Sequence, residues 1–166
     1  MRTSLSLALG LAASAVLAMP AHAQNSGSIN AKANVLAAIS VTGTDLDFGN
    51  VAQSQTKVIA PDAGTAGKFT ISGLNSAPVV MTFSSLPANV NNAGLPLSAW
   101  QKMQNSANTT GSLSASPITV GSAFNGTLSV SGNYYVWVGA TLSAGAAVAP
   151  GTYTSATPIT LQVVYQ

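Results

Sequence analysis

The chain has 166 residues and is only 5% charged, with five Lys or Arg, three Asp or Glu, one His and no Cys. Arg2 and His22 fall in an amino-terminal segment that reads as removable, leaving Lys32, Lys57, Lys68 and Lys102 against Asp45, Asp47 and Asp62. Without His, Cys, Arg or Glu the body lacks the usual means of catalysis, thiol chemistry and metal ligation, and four scattered lysines offer no basic face to nucleic acid.

Residues 1–23 have the pattern of a secretory signal. Arg2 supplies the positive start, Leu5 to Ala18 the apolar stretch, and Ala21-His22-Ala23 the small-x-small site, with cleavage expected between Ala23 and Gln24. The apolar stretch falls short of the roughly 20 residues a spanning helix needs, and no later run approaches that length, so export without membrane insertion is expected. The remaining length suits one domain that buries a core without disulfide staples.

Beyond the signal the dominant period is two. The first candidate strand is Ile29–Val41, where Ile29, Ala31, Ala33, Val35, Ala37, Ile39 and Val41 form an apolar face. Asn30, Lys32, Asn34, Leu36, Ala38, Ser40 and Thr42 form the other, polar at its start and end. A helix fits less well, since the stripe from Ile29 through Lys32, Ala33 and Leu36 is broken. Its length, about twice that of an ordinary strand, suggests a first part that leaves the domain and a second that stays. We therefore expect an extension over 24–40 running into a domain over 41–166.

Further strands are expected at Asp45–Phe48, Thr56–Ala60, Lys68–Ser72, Pro78–Phe83, Ser116–Val120, Gly126–Val130, Tyr134–Leu142 and Pro158–Tyr165. Turn signals stand at Gly73-Leu74-Asn75, Asn91-Asn92, Gly132-Asn133 and Pro150-Gly151. Leu97, Trp100 and Gln104 are spaced as on one helical face, so a helical turn is expected at Leu97–Gln104 within a long loop over 89–116. The whole reads as an all-β sandwich or barrel.

In the last strand Ile159, Leu161, Val163 and Tyr165 point one way, and Pro158, Thr160, Gln162 and Val164 the other. A strand that ends the chain one residue later leaves an expected open edge over apolar core, which a partner would cover by strand addition.

Gly151-Thr-Tyr153 followed by Ile159-Thr-Leu161-Gln-Val163-Val-Tyr165-Gln resembles the terminal strand of bacterial fimbrial subunits, with their penultimate tyrosine and a glycine a dozen or so residues earlier. Asp45-Leu-Asp47-Phe48-Gly49-Asn50 is similar to the Leu-x-Phe-Gly element of spore-coat-U-type pilins, and Val138-Gly-Ala-Thr-Leu142 leading to Pro150-Gly-Thr-Tyr153 fits the same pattern. The resemblance implies an immunoglobulin-like antiparallel β-sandwich that is incomplete. Each copy would be closed by a donor strand from a neighbour, with a periplasmic chaperone and an outer-membrane usher as assembly partners. Many such pilins carry a disulfide near the first strands, and this chain has no cysteine.

The expectation is thus a structural subunit of an extracellular fimbria, contributing to surface adhesion or biofilm, and polymerised with copies of itself or sister pilins. Donor positions are Ile29, Ala31, Ala33, Val35, Ala37 and Ile39; the acceptor groove holds Ile159, Leu161, Val163 and Tyr165. The runner-up is a self-contained adhesive module that binds a host or surface glycan, with Trp100, Tyr134, Tyr135 and Trp137 as stacking candidates. Asp45, Asp47 and Asp62 suggest calcium only weakly, because aspartates beside a strand start serve more often as turn residues. No catalytic residue, metal or cofactor is assigned.

Overall fold

The computed structural model describes residues 27–111 and 113–166, so the expected signal over 1–23 and its expected Ala23–Gln24 junction lie outside the described residues. Among the described residues there are nine strands: β1 (Ser40–Thr44), β2 (Thr56–Ile59), β3 (Gly67–Ser72), β4 (Pro78–Ser85), β5 (Leu97–Asn105), β6 (Ser116–Pro117), β7 (Ala123–Thr127), β8 (Asn133–Ser143) and β9 (Thr160–Tyr165). All pair antiparallel and no helix occurs among the described residues. They form two sheets, one ordered β1-β3-β8-β5-β6 with β2 also on β8, the other ordered β7-β4-β9. The fold is an antiparallel β-sandwich, and Val35–Gln166 make up its compact unit.

β8 organises the larger sheet because Tyr134, Val136, Val138, Ala140 and Leu142, at every second position, are all buried against the core. Tyr134, Val136 and Val138 enter a core shared with Ile71, Val79, Met81, Phe83, Leu128 and Leu161. Further along the same face, Ala140 and Leu142 enter a second cluster with Phe48, Ile59, Leu95, Leu97 and Val148. Full burial of each large side chain contributes roughly 1.5–3 kcal/mol. One edge of β8 takes β3 along its first half and β2 along its second. The switch falls at Gly139, where a Cβ would strike the backbone of Ile59 and Pro61 as the chain leaves β2.

Four expectations are corrected. Residues 29–39 form no strand, and the first strand begins only at Ser40. The alternation there describes a strand without a partner in its own chain, and an unpaired strand leaves its backbone groups to water. Asp45–Phe48 is irregular, because the Asp47 carboxylate accepts a 2.7 Å hydrogen bond from the Gly49 amide and bends the chain. The strand expected at Gly126–Val130 lies earlier, at Ala123–Thr127, because the chain passes from β6 in one sheet to β7 in the other through a turn at Gly121, whose φ of 81° suits glycine.

The fourth correction concerns Leu97–Gln104, which is strand and not a helical turn. Between Ser98 and Gln101 β5 holds one residue more than β8 opposite, a bulge with Ala99 at φ 48°. The extra residue moves the inward face from Leu97 to Trp100, and that three-residue step mimics a helical stripe.

Candidate functional site

The two sheets differ in width, and the difference exposes one flank. β7 lies over β5, since the Lys102 ammonium sits 4.5 Å above the Phe124 ring and the Gln104 side-chain amide donates to the Asn125 carbonyl at 3.4 Å. β4 packs on β8 through Met81 and Phe83. β9 lies over β3: the Tyr165 hydroxyl accepts a 2.7 Å bond from the Leu74 amide, just past the end of β3. Among the described residues no strand of the smaller sheet is left to face β1.

The consequence is legible in burial. All five residues of β1 are exposed. Val41 pairs with the fully buried Ile71 and faces inward with it, yet Val41 is 38% exposed. On the smaller sheet β9 uses one edge to pair with β4, and no described strand pairs with its other edge. Leu161 is buried opposite Phe83, whereas Val163 and Tyr165 stand on the same face only half-buried, as does Ile159 just before the strand. Gln162 and Val164 point outward and are exposed. An inward face beside an unpaired edge and an uncovered opposing strand has the shape that an added strand fills.

Residues 39–165 match a family model described as Domain of unknown function (DUF4402). The chain belongs to that family. No curated protein and no solved structure matches it. The DUF4402 match begins at Ile39, so every described strand lies within it and residues 27–38 precede it.

Those preceding residues include most of the donor candidates. Ile29 is 99% and Val35 91% exposed; Ala31, Ala33 and Ala37 are exposed as well. Only Ile39, the first residue of the DUF4402 match, is half-buried, against the core that Val163 and Tyr165 also touch. The Tyr165 hydroxyl donates to the Ala37 carbonyl at 2.8 Å. This contact ties the last strand of the domain to the segment that leads into its first.

The remaining candidates separate. Tyr134 goes into the core, Trp100 lies between the two clusters, and Tyr135 and Trp137 share the outer face of β8 with ring centroids 5.9 Å apart. The four aromatics therefore form no common platform. Among the described residues no group of three or more His, Cys, Asp or Glu is placed to hold a metal.

Sequence reasoning missed Lys102. Past the β5 bulge it faces inward, its ammonium 3.0 Å from the Ser116 hydroxyl at the edge of a cavity of about 90 Å³ lined also by Phe83, Ile118 and Phe124. Burial lowers its pKa from the ordinary lysine value. Nothing in the local sequence marks the bulge that turns it.

Proposed function

We propose that the protein is a structural subunit of a surface filament, in which the segment around Ile29–Val35 of one copy adds as a strand to the open flank of the next. The observation that carries this reading is the pairing of two unmet needs in one chain. Among the described residues no strand pairs with the outer edge of β9, beside a half-buried apolar face, and Ile29, Ala31, Ala33 and Val35, which alternate with Asn30, Lys32 and Asn34 in the sequence, are all exposed. Each supplies what the other lacks: backbone partners along the edge, and apolar side chains over the core. Near-neutral composition favours such self-packing, because copies repel one another little. The fimbrial resemblance adds export through a periplasm and help from a chaperone and usher, which would keep the flank covered before assembly.

Two shortened chains test the reading, both lacking residues 1–35. One ends at Gln166 and the other carries Ser28–Ile39 fused after Gln166 through a Gly/Ser linker long enough to fold back beside β9. The fused chain is expected to be monomeric and to melt at a clearly higher temperature. Equal melting temperatures would mean that the flank gains nothing from a strand, and the reading would fail.

A further inference from the structure

The outer face of the larger sheet holds a second feature, independent of the open flank. An outward sheet face is ordinarily polar, and here it is mostly Ser, Thr and Asn, yet Trp137 stands in its middle. One row across four strands reads Thr44, Lys68, Trp137, Met103, and the next Thr42, Thr70, Tyr135, Asn105. Above the first row, residues 62–66 and the loop at 108–110 frame an open cavity of about 330 Å³, with Trp137 in its wall.

We propose that this cavity binds one or two units of a neutral sugar chain, which continues from Trp137 toward Tyr135. The wall is chemically mixed in the way a pyranose ring requires. The small part of Trp137 left open to the cavity offers an apolar contact for the C–H face of the ring, while the ring's rim of hydroxyls needs both donors and acceptors. The Asp62 carboxylate accepts, the Lys68 ammonium donates, and the Asn108 amide with the Thr109 and Thr110 hydroxyls does both. One carboxylate against one ammonium leaves the wall without net charge, so neither an anion nor a cation is favoured. A purely apolar ligand would strand those polar groups without partners. The volume lies at the lower end of the roughly 300–1,000 Å³ typical of small-molecule sites. Tyr135, half-buried beside Trp137, provides the next stacking surface along β8.

The test is saturation-transfer NMR on the chain expressed without residues 1–23. The probes are linear oligosaccharides of glucose, galactose, mannose and N-acetylglucosamine, with a sialylated oligosaccharide as the charged comparison. At least one neutral oligosaccharide is expected to receive saturation at its ring C–H protons. Asp62→Asn and Asn108→Ala are each expected to weaken that binding about tenfold without changing the melting temperature, since both side chains are exposed. Trp137→Ala is expected to abolish it, but because Trp137 is buried the exposed pair decides the matter. Absence of transfer from every neutral probe, transfer unaffected by the Asp62 and Asn108 changes, or preference for the sialylated probe would each overturn the proposal. None of these outcomes bears on the fused-strand experiment, which concerns the edge of β9 in the smaller sheet.

Discussion

The Tyr165 hydroxyl stands between the Leu74 amide, from which it accepts at 2.7 Å, and the Ala37 carbonyl, to which it donates at 2.8 Å. One side-chain oxygen thus joins the end of β9, the turn after β3 and the root of the extension. Tyr165→Phe keeps the ring and removes both bonds. At roughly 0.5–1.5 kcal/mol per bond, and nearer the lower figure because these sites are exposed, the variant is expected to lose about 1–2 kcal/mol of stability. Urea denaturation measures this, and faster hydrogen exchange at the Leu74 amide locates it.

Val163 and Gln162 are neighbours on opposite faces of β9, the first half-buried against the core and the second exposed. Val163→Asp is expected to lower sharply the yield and melting temperature of the chain expressed without residues 1–23. It removes part of the roughly 1.5–3 kcal/mol that burying a valine supplies and adds an unpaired carboxylate beside the core. Gln162→Asp is expected to be nearly silent. Greater damage from Gln162→Asp would place the strand one residue out of register.

The same contrast applies to the extension. In the proposed joint Ala33 enters a neighbour while Lys32 and Asn34 remain in water. Ala33→Asp is expected to abolish polymers seen by size exclusion and electron microscopy, and Lys32→Ala to leave them intact. Equal tolerance of both changes would rule out this facing of the donor.

Lys102 offers a pH-dependent test. Its pKa is lowered by burial, so the unfolded chain holds the proton more tightly than the folded one. Stability attributable to this group therefore rises with pH between its folded value and the ordinary lysine value of about 10.4, and the cost is fully present below that interval. Lys102→Met keeps an unbranched side chain in the same space. It is expected to melt higher than the parent at neutral pH, by an advantage that shrinks as pH climbs toward the ordinary lysine value. Thermal melts across alkaline pH measure the convergence.

Much of the sandwich was legible because its central strands obey their period. Tyr134, Val136, Val138, Ala140 and Leu142 alternate with polar or outer-face residues, and the structure buries all five. In β9 the alternation through Leu161, Val163 and Tyr165 likewise matches the inward face. What was not legible depends on partners and on irregular backbone. The alternation at residues 29–39 predicts a strand, but a strand also needs an edge to pair with. At Leu97 and Trp100 a single inserted residue changed the facing of everything after it, carrying Lys102 and Gln104 inward. Trp137 was legible only as one of four stacking candidates; its place on the outer face follows from the register of β8, and the loops that frame it come from residues 62–66 and 108–110, far away in sequence.

The unequal width of the two sheets also bears on symmetry. The edge of β9 and the face of Ile29–Val35 are different surfaces, so a joint between them is heterologous, with no two-fold axis relating its halves. An array built from such joints has a direction. One terminus always presents an unfilled flank and the other an unused extension, and nothing in the joint itself limits the count. Growth would end only by closing into a ring, or by meeting a member whose flank is already complete.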